Sequence, residues 1–142
     1  MPWIVDGSNV LGAMRADRHS DDAKRALIRL LASFAREKKT RVTCVFDGLA
    51  PASFATHLGS VSVVFGGTRS ADDIIIERVS NGRGWSVVTS DRALAARVER
   101  RQVRVVASPQ LIRSMETAAS AESEPSADWE SYFSDDTNRT KF

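Results

Sequence analysis

The sequence has a single cysteine and no long apolar run. Cys44 is the only cysteine and lies in an apolar run, which excludes an internal disulfide and a cysteine-based zinc site and predicts a buried, reduced thiol. No apolar run approaches the ~20 residues that a membrane helix needs. The first residues show no charged leader followed by an apolar signal region. We therefore expect a cytoplasmic protein that does not associate with membranes.

Several catalytic motifs are also missing. The chain has no G-x-x-x-x-G-K-[ST] phosphate loop, no G-x-G-x-x-G turn after a strand and no serine nucleophile elbow. An aspartate phosphotransfer enzyme usually has a second acid two residues after the first, and Ser8 occupies that position after Asp6. The two histidines, His19 and His57, lie in predicted loops. These absences argue against nucleotide-binding folds of those types and against serine hydrolases.

Charge is unevenly distributed along the 142 residues. Residues 1–115 contain 18 Lys and Arg against 11 Asp and Glu, whereas residues 116–142 contain 2 against 7. We predict one domain over residues 1–116 and an acidic, flexible tail over 117–142, whose aromatic cluster (Trp129, Tyr132, Phe133) packs back on the domain or anchors a partner. A basic body suits a polyanionic partner, although an ordinary solvated surface explains the charge equally well.

Apolar patterning predicts strands that alternate with helices. The predicted strands are 3–6, 41–46, 61–65, 85–89 and 103–106, and the predicted helices are 21–38, 71–80, one after Asp91 and one from Ser108 to about Met115. Residues 7–19 are expected to be a loop or short helical turn, and residues 49–60 a loop. This alternation is typical of a mostly parallel sheet covered by helices on both faces.

Four aspartates are predicted to meet at one edge of this sheet. Asp6, Asp47 and Asp91 lie at or just past the carboxyl ends of strands, and Asp72 lies in the first turn of a helix that starts at the same edge. Helical periodicity points Asp72 with the apolar face and Asp73 outward. Each aspartate alone also has an ordinary interpretation as a turn or helix-cap residue, so the prediction rests on the set.

Gathered carboxylates need a compensating charge. Two like charges ~4 Å apart repel by about 4 kcal/mol at an effective dielectric constant near 20, so either protons are shared or a divalent cation binds. Oxygen ligands without histidine or cysteine select Mg²⁺ or Mn²⁺. With a basic surface, such a site suggests phosphodiester hydrolysis. Cations that could contact phosphates, or could simply be solvated, are Arg69 and Arg92 beside the acids and Arg15, Lys38 and Lys39 further away.

The order and spacing of four short segments resemble the YacP-like branch of the NYN domains, within the PIN-like nuclease superfamily. The segments are D-G-S-N at 6–9, F-D-G at 46–48, T-R-S-A-D-D at 68–73 and T-S-D at 89–91, and the likeness covers roughly residues 2–115. One departure is the pair Arg69-Ser70 before Ala71-Asp72, where the family more often has threonine directly before the Ala-Asp pair.

The resemblance implies a fold, an activity and a site. The implied fold is a three-layer α/β sandwich around a five-stranded, mostly parallel sheet of order 3-2-1-4-5. The implied activity is a ribonuclease that depends on Mg²⁺ or Mn²⁺, with catalytic and metal-binding roles for Asp6, Asp72 and Asp91. Asn9 and Asp47 would support them, and we place Ser90, the neighbour of Asp91, with these supporting residues.

We therefore expect a metal-dependent endoribonuclease that acts on RNA, including messenger or ribosome-associated RNA, as a monomer or homodimer. Two alternatives remain at this stage. One is an RNA-binding module without catalysis, which would gain nothing from a buried anionic cluster. The other is a phosphatase that hydrolyses small phosphoesters.

Overall fold

The computed structural model of the chain describes residues 2–82, 84–101 and 103–122. These ranges form six strands and five helices. In chain order they are β1 (Trp3–Asp6), α1 (Gly7–Ala13), α2 (Asp21–Lys38), β2 (Val42–Phe46), β3 (His57–Leu58), β4 (Val61–Phe65), α3 (Ala71–Ser80), β5 (Ser86–Val88), α4 (Arg92–Glu99), β6 (Arg104–Val106) and α5 (Ser108–Glu122). None of these helices has the length and apolar character required to cross a bilayer.

The strands form a single sheet in the order β3-β4-β2-β1-β5-β6. The five longer strands run parallel, and their order is the predicted 3-2-1-4-5. β3 is an additional edge strand, antiparallel to β4, in a stretch predicted to be a loop. The prediction of five strands was therefore wrong by one, because two exposed residues, His57 and Leu58, leave no apolar pattern in the sequence.

Hydroxyl caps fix where two of the long helices begin. The Ser20 hydroxyl accepts the backbone N–H of Ala23 (3.1 Å) before α2, and the Ser70 hydroxyl accepts that of Asp73 (3.2 Å) before α3. α2 ends where Lys39 adopts a left-handed conformation (φ 54°). Both helices have the predicted bounds.

Successive side chains of each strand point to opposite faces of the sheet, which creates two cores. Val5 and Cys44 face the larger core, beneath α1, α2 and α5, whereas Ile4 and Val45 face the smaller core beneath α3 and α4. Cys44 is fully buried, and this burial raises the pKa of its thiol far above the usual range. The result is the predicted three-layer α/β sandwich.

Two stretches contain more helix than the sequence suggested. Residues 7–13 form α1, which is longer than a single turn. α5 continues to Glu122, past the end expected near Met115, and Ala118 in this extension is buried. Residue 117, the predicted start of the tail, therefore lies inside a helix. The predicted aromatic cluster of the tail lies outside the described residues.

Parallel pairing brings several strand ends to the same side of the molecule. Asp6 ends β1 opposite Val45 of β2, and Val5 lies opposite Val88 of β5. We call this side, at the carboxyl ends of β1, β2 and β5, the carboxylate edge. α2 starts near it and, with 18 residues, extends about 27 Å to the opposite edge.

Candidate active site

Asp6 is the most buried acid of the carboxylate edge. One carboxylate oxygen accepts the backbone N–H of Asn9 (3.4 Å), and the other accepts the hydroxyl of Thr89 (3.1 Å). Asp6 is only 5% exposed. Burial raises its pKa to about 6; the two hydrogen bonds act in the opposite direction, and the negative charges of Asp72 and Asp47 raise it further. The site therefore disfavours an uncompensated negative charge at Asp6.

Thr89 connects Asp6 to Asp91. Its hydroxyl donates to Asp6 and also accepts the backbone N–H of Asp91 (3.0 Å). One oxygen of Asp91 caps α4 by accepting the N–H groups of Ala93 (2.9 Å) and Leu94 (3.2 Å). One threonine hydroxyl thus links the carboxylate of Asp6 to the backbone of Asp91, although 85 positions separate the two residues in the sequence.

Asp47 ties the end of β2 to the start of α3. One of its carboxylate oxygens accepts the backbone N–H of Ala71 (2.9 Å), the first residue of α3. Its own N–H donates to the hydroxyl of Ser8 (3.4 Å) in α1. Through these contacts Asp47 joins three segments, and it also places the neighbour of Ala71, Asp72, at the same edge.

Asp72 is partly buried, whereas Asp73 is exposed, as helical periodicity predicts. Burial raises the pKa of Asp72, and the charges of Asp91 and Asp47 add to this effect. Arg97 of α4 acts in the opposite direction and lowers the pKa. Asp72 therefore lies within electrostatic reach of the two strand-end acids, and a guanidinium lies near it.

Asn9 is the centre of a second polar cluster. Its side-chain oxygen accepts both the Ser108 hydroxyl (2.7 Å) and the Ser90 backbone N–H (2.9 Å). The Ser90 hydroxyl in turn accepts the backbone N–H of Ser108 (3.0 Å). These bonds fasten the segment before Asp91 to α1 and to the start of α5.

With this geometry in place, comparison with known proteins identifies the family. The sequence model of the YacP-like NYN domain matches residues 3–140, almost the entire chain. The chain belongs to the YacP-like NYN domain family. No curated protein matches it.

Two solved structures of Rae1 (YacP) from Bacillus subtilis have the same fold as this NYN domain. A single-substitution variant gives a TM-score of 0.69 at 22% identity, covering 99% of this chain and 96% of Rae1. Another Rae1 structure gives a TM-score of 0.73 at 22% identity, covering 85% of this chain and 76% of that one. At this identity, the comparison supports the PIN-like α/β fold.

The donor atoms of the NYN domain site suit a hard cation. Within the described ranges, no three His, Cys, Asp or Glu side chains already converge as a complete set of ligands. Mg²⁺ commonly takes one or two protein carboxylates and keeps several waters, so it does not require a preassembled cage. Asp6 and Asp72 both have raised pKa values and neighbouring acids, and the charge of Asp91 acts on Asp72. An ion held by carboxylates and water fits this arrangement.

The predicted phosphate-contacting cations of the NYN domain do not lie together. Arg92, the first residue of α4, and Arg69, in the loop before α3, are exposed at the carboxylate edge. Arg69 already pairs with Glu77 (3.3 Å). Arg15 is exposed in the turn after α1, with φ 60°.

Lys38 and Lys39 lie far from the other predicted cations. They end α2, and Lys39 adjoins Pro2, Arg41 and Ser60, which lie at or near the amino ends of the strands. They are therefore at the edge opposite the aspartates. They do not lie beside the acids, because α2 runs from one edge of the sheet to the other, and their predicted contact with RNA stays a prediction.

Sequence reasoning missed four residues that build the site: Ser8, Thr89, Arg97 and Ser108. Thr89 had a local signal, since it ends a strand two residues before Asp91. Arg97 is exposed, yet its positive charge still lowers the pKa of Asp72. Ser8 and Ser108 act across 39 and 99 positions of sequence, and no local pattern reveals such contacts.

Proposed function

We propose that this NYN domain is a metal-dependent endoribonuclease that hydrolyses RNA phosphodiester bonds at the carboxylate edge. One observation carries the proposal: Asp6, Asp72 and Asp91, from three separate elements, lie at the same edge, and the Thr89 hydroxyl links the Asp6 carboxylate to the Asp91 backbone. Clustering acids costs folding free energy, and neutral hydrogen-bonding groups would bind RNA without that cost. A cation-dependent reaction explains why acids are present.

Asp6, Asp72 and Asp91 would hold Mg²⁺ or Mn²⁺. When bound, such an ion lowers the pKa of a water molecule and stabilises negative charge on phosphate oxygens. The protein prepares Asp6 for this role because burial makes its ionised form unfavourable without a nearby positive charge. The Thr89 hydroxyl fixes the orientation of the Asp6 carboxylate.

The remaining polar residues position the acids and the substrate. Asn9 uses its side-chain oxygen for two internal hydrogen bonds, so its amide nitrogen is the group that can donate to a phosphate. Asp47 and Ser90 use their contacts to hold α3 and the segment before Asp91, which makes them supporting residues. Arg92, Arg69 and Arg97 supply positive charge near the acids for the anionic RNA backbone.

Cleavage of a circular single-stranded RNA tests the proposal directly, since a circle has no ends for an exonuclease. We expect the full chain to linearise it with Mn²⁺ or Mg²⁺ and not in excess chelator. Asp6→Asn and Asp91→Asn should each lower kcat/KM by a factor of 100 or more, and Asp73→Asn, a neighbouring exposed acid, should leave it unchanged. Activity that survives both substitutions, or survives chelation, would contradict the metal-nuclease mechanism.

The same assay separates the alternatives. Tight RNA binding without cleavage under any metal would indicate a binding module, and turnover of an aryl phosphate without RNA cleavage would indicate a small-molecule phosphatase. Within the proposal, the substrate is RNA in the cytoplasm, and messenger and ribosome-associated RNA are the first substrates to compare.

A further inference from the structure

Three adjoining depressions form one groove along the outer side of α2. The first, near Phe54, and the second, near Ser33, share Arg29 and Leu58; the second and third share Arg36 and Ser60. The groove lies between α2 and the β3–β4 hairpin and ends at the amino edge of the sheet. We call it the α2 groove.

Positive side chains line the α2 groove along its full length. From one end to the other they are Arg25, Arg29, Arg36, Lys39 and Arg41. All except Arg25 are exposed. Among the described residues, no Asp or Glu lines any of the three depressions. Arg25 to Lys39 spans 14 positions, or about 21 Å of helix, so the positive charge forms a stripe several nucleotides long.

One end of the groove is connected to the carboxylate edge by aromatic contacts. Phe46, the residue before Asp47, packs on Phe65 (5.5 Å between ring centroids), and Phe65 packs on Phe54 (5.1 Å). The guanidinium of Arg25 lies 4.8 Å from the centre of the Phe54 ring. These contacts place the Phe54 end of the α2 groove on the side of the molecule where Asp47 lies.

We propose that the α2 groove binds the backbone of single-stranded RNA that extends beyond the cleavage site. The proposal rests on the ribonuclease function proposed above and adds a second contact surface to it. A stripe of cations, most of them exposed, complements a polyphosphate backbone and carries no base-specific pattern. It also gives Lys39 and its neighbours a function that their distance from the aspartates had excluded at the active site.

Matched double variants test the groove. Arg29→Gln/Arg41→Gln removes two cations from it, and Arg78→Gln/Arg100→Gln removes two exposed cations from the helices on the other face of the sheet. Binding of a fluorescent 20-nucleotide RNA to the full chain is measured by anisotropy in EDTA over a salt series. We expect the groove variant to bind about tenfold more weakly at 0.1 M salt, with a salt slope smaller by about 1.4, and the control to bind like wild type.

Substrate length provides an independent readout. A four-nucleotide RNA offers little chain beyond the cleaved bond, whereas the 20-nucleotide RNA is long enough to follow the groove as well. The groove variant should therefore cleave the short RNA like wild type and lose kcat/KM on the long one, chiefly through KM. Equal loss on both lengths would contradict the proposal.

The outcomes distinguish the groove from the nuclease. If the groove variant binds RNA more weakly, but neither wild type nor any variant cleaves RNA, the groove proposal is supported and the ribonuclease proposal fails. If wild type cleaves and both double variants bind RNA equally, the nuclease stands and the groove proposal fails. The groove proposal also fails if RNA binding is unchanged and a synthetic peptide of the acidic residues 123–142 binds wild type but not the groove variant.

Discussion

Asp6 is placed where its ionised form is costly to the folded protein. Its pKa is raised from 3.8 to about 6, so the folded state binds a proton more tightly than the unfolded state does. Between pH ~3.8 and ~6 the folded state therefore holds more protons, and stability decreases as pH rises through this window. Two pKa units correspond to roughly 2–3 kcal/mol, a large share of the ~5–15 kcal/mol typical of a domain.

Asp6→Asn is expected to stabilise the protein while abolishing activity. At pH 7.5 in chelator, removal of the buried charge should raise the free energy of unfolding by about 1–3 kcal/mol, measured by urea denaturation. The exposed control Asp73→Asn should change it by no more than about 0.5 kcal/mol. Destabilisation by Asp6→Asn would show that the hydrogen bonds of Asp6 outweigh its desolvation.

Asn9 and Ser108 are expected to stabilise the fold as a coupled pair. Asn9→Ala leaves the Ser108 hydroxyl, in a residue with 0% exposure, without its acceptor, which should cost about 1–3 kcal/mol. In a double-mutant cycle with Ser108→Ala, we expect a coupling energy near 1 kcal/mol. Ser114→Ala, a partly exposed serine of the same helix, serves as the control. A coupling energy of zero would show that Asn9 and Ser108 do not stabilise the fold jointly.

At the scale of elements, α1 packs so closely on β2 that one glycine is required. A Cβ on Gly7 would lie 2.5 Å from Phe46 Cε1 and 2.9 Å from Cys44 Sγ. Gly7→Ala should therefore destabilise the protein by about 1–3 kcal/mol. Gly12→Ala, in the same helix, meets only Arg18 Cδ at 3.7 Å and should stabilise it by about 0.4–1 kcal/mol. Thermal unfolding of both variants checks the contrast.

The elements that could be predicted are those with local signals. Apolar strands that end in aspartate, and serine caps such as Ser20 and Ser70, are encoded in consecutive residues, so five strands and two helices were predicted correctly. The order of the strands followed from the resemblance to the NYN domains. β3 escaped prediction because its pairing depends on β4 rather than on its own two residues. The end of α5 was missed because small polar residues resemble a loop in composition while Ala118 packs inside the fold.

The site was predictable in part for the same reason. A sheet with strand ends on one side predicts that Asp6, Asp47 and Asp91 share an edge, and the hydrogen bonds place them there. The same topology also implies that a helix that starts at this edge finishes at the other one, so it predicts that Lys38 and Lys39 lie away from the aspartates. Contacts such as Asn9 with Ser108 depend on tertiary packing and had no sequence signal.

For the whole molecule, proton binding and metal binding should compete. Asp6 and Asp72 both have raised pKa values, so protons occupy the proposed ligands at low pH. Stabilisation by Mn²⁺, measured as the increase in Tm, should be small at pH 5 and larger at pH 7.5. Asp6→Asn should remove most of this difference. An equal increase in Tm at both pH values would indicate that Mn²⁺ binds elsewhere.

The buried position of Cys44 makes its thiol a natural probe of unfolding. Its sulfur lies at the centre of the sheet with 0% exposure, and no second thiol competes with it. A thiol-specific dye can therefore label the protein only after the central strands separate. The labelling rate then reports global unfolding without an engineered cysteine. Saturating Mn²⁺ should slow labelling in proportion to how much its binding stabilises the native state.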